Sequence, residues 1–127
     1  MTDFIIDKTL AAPAGPYSHL AVAGNLVWTA GFGPADPQTG AIADGIEAQT
    51  EATIDRLVTA LAGVGASLSD VVKATVHLAD LADFAGLNTV YGRRFTEPYP
   101  VRTTVGSALM NILVEIDVVA VLPDRTG

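Results

Sequence analysis

At 127 residues the chain has the size of one ordinary domain, and residues 1–127 are read as a single one. Half of its residues are hydrophobic and its mean hydropathy is +0.40, more apolar area than so small a core can hide, so burial between the subunits of a homo-oligomer is expected. Fourteen acids against seven bases give a formal charge of −7, which argues against a nucleic-acid partner, and the absence of cysteine excludes disulfides, thiolate metal sites and a Cys nucleophile.

The start of the chain, Met1 to Lys8, has no basic leader and carries Asp3 and Asp7 beside a short apolar stretch, so it does not read as a signal peptide and a cytoplasmic location is expected. The first 43 residues are rich in Gly and Pro with short β-type runs between. Leu20 to Ala23 and Leu26 to Ala30 flank Gly24-Asn25, a two-residue hairpin turn. A second turn falls at Asp36-Pro37-Gln38-Thr39-Gly40.

Helical periodicity begins near Asp44, a candidate N-cap with Glu47 three residues on. Ile54, Leu57, Val58 and Leu61 form the apolar stripe, and Gly63-Val64-Gly65 ends the helix. Val71 to Leu78 alternates and predicts a strand with one buried face. A second helix is predicted from about Leu81, capped by Asp80, with Phe84, Leu87, Tyr91 and Phe95 on its apolar side. Glu97-Pro98-Tyr99-Pro100 stops it, and strands follow near Val101 to Ser107 and Leu113 to Leu122. The longest apolar run, Asn111 to Pro123, is broken by Glu115 and Asp117 and falls short of the roughly 20 residues of a membrane span. The pattern predicts an α+β fold, a sheet with both helices packed on one face.

Few residues carry chemistry. His19 and His77 lack a carboxylate at metal-ligand spacing, so no metal is expected, and Gly31-Phe32-Gly33 lacks the third glycine and following helix of a dinucleotide site. Arg102 and Glu115 are different: both are charged residues inside apolar strands. Arg102 shares a face with Thr104 and Gly106, and Glu115 with Leu113, Asp117 and Val119. Paired as a hairpin, the two strands would bring Arg102 and Glu115 together. That pair is either an edge-strand salt bridge or a site in which Arg102 grips a carboxylate with both arms of its guanidinium.

Several segments carry a resemblance. Gly15-Pro16-Tyr17-Ser18, Val27-Trp28-Thr29-Ala30-Gly31, Asp36-Pro37-Gln38-Thr39-Gly40 and Asp70 to Val76 are similar to the Rid (YjgF) family, the reactive-intermediate imine deaminases. So are Asn88-Thr89-Val90-Tyr91, Pro100 to Val105 and Leu113 to Asp117, in the right order from about Pro13 to Val121. The resemblance implies a chorismate-mutase-like α+β fold, a homotrimer with clefts between subunits, and no cofactor or metal. It also implies hydrolysis of small 2-imino acids, or of 2-aminoacrylate-type enamines, to 2-keto acids and ammonia. By position, Arg102 would bind the substrate carboxylate with help from the Thr104 backbone, and Glu115 would position or activate water. Tyr17 and Asn88 would shape the cleft, with Gly31 and Phe32 as backbone and wall. A deaminase of 3-aminoacrylate or aminomuconate type, and a non-catalytic trimer that binds keto acids, are the alternatives. Two features depart from the family pattern. Ala30 stands where Ser is common, and residues 107–112 make a shorter turn than usual, so that one residue of slip would move Glu115 to the other face.

Overall fold

The structure is a computed structural model that describes residues 1–123; residues 124–127 of the span read as one domain lie outside it. Six strands and two helices follow in the order β1 (Thr2–Ile5), β2 (Leu20–Ala23), β3 (Leu26–Thr29), α1 (Ile46–Ala62), β4 (Val71–Leu78), α2 (Phe84–Arg94), β5 (Val101–Gly106) and β6 (Val114–Val121). All six strands form one sheet in the order β1-β2-β3-β6-β4-β5. β4 and β5 are parallel, and every other pairing is antiparallel.

The expected hairpin forms at Gly24-Asn25, where Gly24 takes a φ of 61°. Asp36 Oδ1 accepts from the amides of Gln38 and Thr39 and closes the second turn. The N-terminal stretch is itself a strand, which sequence alternation did not flag. It becomes one by pairing with β2 as an edge.

Both helices pack against the same face of the sheet. Val27 of β3, Ala74, Val76 and Leu78 of β4, and Val114, Ile116, Val118 and Ala120 of β6 are all buried there against Ile54, Leu57, Leu61, Leu87 and Val90. At about 0.8 kcal/mol per buried CH₂, this layer dominates the stability of the fold. α1 departs from expectation at two points. Its N-terminus is Gly45, at φ 87° and ψ 158°, and no side chain caps it, so Asp44 is not the cap. Val58 is exposed, and the buried stripe takes Thr50 and Thr53 in its place. Asp80 does cap the 3₁₀ turn that leads into α2, accepting from the Ala82 amide at 2.9 Å. The helices are tied by Arg93 and Arg94 of α2, which bind Glu51 of α1 at 2.6 Å each, and Arg94 also reaches Asp55 at 2.8 Å. Among the described residues no helix is long and apolar enough to cross a membrane.

Among the described residues no helix lies on the opposite face of the sheet. Trp28, Lys73, Thr75, His77, Val101, Thr103, Val105, Glu115, Asp117 and Val119 share it by register, and Trp28, Val101 and Val105 are exposed.

Candidate active site

The hairpin expected between the last two strands does not form. β4 lies between them, parallel to β5 and antiparallel to β6. Arg102 pairs with Ala74 and Glu115 with His77, and these are successive-parity positions of β4 that point to opposite faces. Within one chain Arg102 therefore stands on the helix side of the sheet and Glu115 on the open side. The salt bridge considered from sequence is absent. The physical reason is the helical crossover: α2 carries the chain from β4 back to a parallel neighbour, a connection too long for a hairpin.

The site residues accordingly divide into two groups. The first lies under α2. Arg102, half-buried, donates from Nη2 to Asn88 Oδ1 at 2.8 Å. Its guanidinium carbon sits 4.7 Å from the centre of the Tyr91 ring and 5.6 Å from that of Phe84. Two aromatic faces and one amide thus hold the guanidinium plane in place without neutralising its charge. A depression of about 290 Å³ opens here, lined by Asn88, Tyr91, Gly92, Tyr99, Pro100 and Arg102. Thr104 is two residues on, on the same face. Thr104 Oγ1 and Tyr91 Oη are both buried with no hydrogen-bond partner among the described residues. Burial pushes the Tyr91 phenol up, and the neighbouring Arg102 charge opposes that shift. An oriented, uncompensated guanidinium at an opening suits a carboxylate.

The second group surrounds Glu115. Phe32 and Ile116 exchange two backbone hydrogen bonds at 2.9 and 3.0 Å, which lays the segment after β3 against β6. This brings Gly31 onto the Glu115 side chain so closely that a Cβ on Gly31 would lie 2.6 Å from Glu115 Oε2. The Glu115 carboxylate makes no hydrogen bond or ion pair among the described residues, so its lone pairs are free to hold water. The turn 107–112 thus leaves Glu115 directly opposite His77, on the face where Asp117 also lies.

Tyr17, Gly31 and Phe32 line a separate cavity of about 240 Å³. Tyr17 is exposed, and its hydroxyl accepts from the Ala14 amide at 3.1 Å. Its loop is pinned by His19, 3% exposed, which accepts the Asp7 amide at Nδ1 and donates from Nε2 to the Ala11 carbonyl, each at 2.9 Å. With Nδ1 accepting, Nε2 is the nitrogen that carries the hydrogen.

The structure adds residues that sequence reasoning passed over. Tyr91, assigned to the apolar stripe of α2, is also the shelf for Arg102; its spacing of three from Asn88 on one helix is a signal that pointed there. His77, expected as an ordinary polar-face residue, lies beside Glu115. Its Nδ1 is 2.8 Å from Ser107 Oγ and its Nε2 is 3.6 Å from Asp117. Gln49, buried on α1, bridges the Ala43 carbonyl and the Leu113 amide at 3.0 and 2.8 Å and so fixes where β6 begins. No local pattern marks these last two, because both depend on partners dozens of residues away.

Comparison with known proteins agrees with this architecture. Residues 8–122 match the family model described as Endoribonuclease L-PSP. A RutC family protein of Pyrococcus abyssi is 40% identical over 121 residues, 93% of this chain and 95% of its own. A 2-iminobutanoate/2-iminopropanoate deaminase of Salmonella typhimurium is 34% identical over 126 residues, 95% of this chain and 98% of its own. The crystal structure of RidA from the Antarctic bacterium Psychrobacter sp. matches with a TM-score of 0.88 at 35% identity, covering 94% of this chain and 99% of that one. These matches run through both the strand that bears Arg102 and the strand that bears Glu115, and the chain belongs to the Rid (YjgF) family.

Proposed function

We propose that this protein is a deaminase that hydrolyses small 2-imino acids, or their enamine tautomers, to 2-keto acids and ammonia. Relatives that bear the 2-iminobutanoate/2-iminopropanoate deaminase name support the reaction class. The observation that carries the reading is the division of labour in the sheet. Arg102 is held ready for a carboxylate on one face, and Glu115 has a free carboxylate on the other. One substrate touches both when two copies of the chain meet, Arg102 coming from one and Glu115 from the other.

A homotrimer with three such clefts supplies that meeting. The helix-free face, with Trp28, Val101 and Val105 exposed on it, is the apolar surface such an assembly would cover. In the cleft Arg102 orients the substrate through its carboxylate, backed by Asn88 and by the backbone at Thr104. Glu115 holds a water against C2, takes its proton as the C–O bond forms, and returns it to nitrogen. Glu115 then takes the hydroxyl proton of the carbinolamine and passes it to the amino nitrogen, the C–N bond breaks as the carbonyl forms, and ammonia leaves with the 2-keto acid behind. Imine carbon is already electrophilic, so positioning and proton transfer suffice. Tyr17, Gly31 and Phe32 form the wall behind the water.

RNA cleavage is the other activity that the family description names. The paired bases Arg93 and Arg94 are engaged by Glu51 and Asp55, and the chain carries −7 overall, which disfavours a polyanion.

The test is competition with semicarbazide for imines generated by an amino-acid oxidase. Wild type is expected to suppress the trapped semicarbazone, and Arg102→Ala and Glu115→Ala to fail. Binding of 2-oxobutanoate in calorimetry without turnover of any imine, 3-aminoacrylate or aminomuconate would instead identify a carboxylate-binding trimer. Light scattering that returned the 13.1 kDa monomer mass would overturn the shared cleft.

A further inference from the structure

The cavity behind Gly31 has a feature that hydrolysis of a short imino acid does not use. Its walls are largely apolar, with Leu10, Phe32, Pro34 and Ile112 among them, and one cation, Arg56 of α1, lines it. Arg56 is half-buried and weakly engaged. Its Nη1 reaches the Ala35 carbonyl at 3.5 Å, the outer limit of a hydrogen bond, and its guanidinium makes no ion pair among the described residues. The acid that its charge reaches is Asp36. Its carboxyl is held low first by the Thr39 and Gln38 amides, and Arg56 is the smallest contributor, so Asp36 is committed to its own turn. Arg102 is tied to Asn88, and Arg93 and Arg94 to carboxylates, whereas Arg56 keeps most of its donors unspent. The cavity is also adjacent to the reacting end of the site, because Gly31 lines it and lies against the Glu115 carboxylate.

The geometry points to a distal anion subsite: the substrate's side chain enters this cavity along its apolar wall, and Arg56 receives a terminal carboxylate. The favoured substrates are then 2-imino acids of dicarboxylic amino acids; 2-iminoglutarate, for example, is 2-iminobutanoate with a carboxylate added at the end of its side chain. This rests on the deaminase reading above and deepens it. Electrostatics make the assignment selective. Against a net charge of −7 a dianion is repelled unless each end meets a cation, and the Arg56 guanidinium among the cavity's apolar walls supplies the second.

The experiment compares kcat/KM for 2-iminoglutarate, made with L-glutamate oxidase, and 2-iminobutanoate, made with L-amino-acid oxidase, in wild type, Arg56→Ala and Arg56→Lys. Wild type is expected to prefer the dicarboxylate. Arg56→Ala should lower that preference by about tenfold or more, with 2-iminobutanoate turnover within about twofold of wild type, and Arg56→Lys should fall between. No preference in wild type, or equal losses on both substrates in Arg56→Ala, overturns the subsite. If no imine is turned over, the deaminase reading fails separately, and calorimetry with 2-oxoglutarate and 2-oxobutanoate decides the subsite. Tighter 2-oxoglutarate binding that Arg56→Ala abolishes supports it, and equal affinities overturn it.

Discussion

Replacing Gly31 by Ala tests the role proposed for Glu115 without mutating Glu115 itself. A methyl at this position would stand 2.6 Å from Glu115 Oε2, 2.8 Å from its Cδ and 3.1 Å from its Cγ. Ordinary contact begins near 3.5 Å, so something must retreat by roughly 1 Å. Gly31 does not occupy the left-handed region, so alanine suits its backbone, and the loss of unfolded-state freedom favours the variant by about 0.4–1 kcal/mol. The Glu115 side chain has no hydrogen bond to hold it and is the part that yields. The expected result is an unchanged or slightly raised Tm together with a loss of about 10²-fold in kcat, the cost of a 1 Å misplacement, equivalent to about 2.7 kcal/mol in activation free energy. KM should change little, because the added methyl meets Glu115 alone, whereas the proposed carboxylate grip is Arg102's. The semicarbazide competition assay, read beside a thermal melt, measures both. Wild-type kcat in a well-folded Gly31→Ala protein would refute the placing of water by Glu115.

Three further outcomes follow from the geometry. Arg102→Lys keeps the charge but loses the planar stack on Tyr91 and Phe84 and the two-armed grip, so KM should rise by about tenfold or more in the same assay. Gln49→Leu strands the Leu113 amide and the Ala43 carbonyl and should cost about 1–3 kcal/mol in urea denaturation, with activity falling as the start of β6 loosens. Hydrogen bonds from Arg94 and Arg93 hold the Glu51 carboxyl below its ordinary 4.5. A depressed carboxylate contributes stability that is present above its ordinary value and is lost as pH falls through the lower folded one. Glu51→Gln should therefore be less stable than wild type at pH 7, by about 1 kcal/mol or less for so exposed a group, and the difference should close as pH falls below the ordinary glutamate value.

The local chemistry of the chain determined its elements. Alternation from Val71 to Leu78 matches β4 at both ends, the hairpin at Gly24-Asn25 forms with a positive φ at the glycine, and Asp80 caps the turn into α2. Period and turn chemistry act over a few residues, so a sequence displays them directly. The motifs around Arg102 and Glu115 likewise marked the two residues on which a hydrolytic site would depend. Their relationship was not legible. Alternation says which residues of a strand share a face, but not which strand lies beside it. The insertion of β4 between β5 and β6 put Arg102 under α2 and Glu115 on the open face, so the two do not meet within one chain. The same holds for β1, an edge strand that exists by virtue of β2, for His77 beside Glu115, and for Arg56 in the wall of its cavity. Each is set by contacts between segments far apart in sequence, which tertiary packing alone brings together.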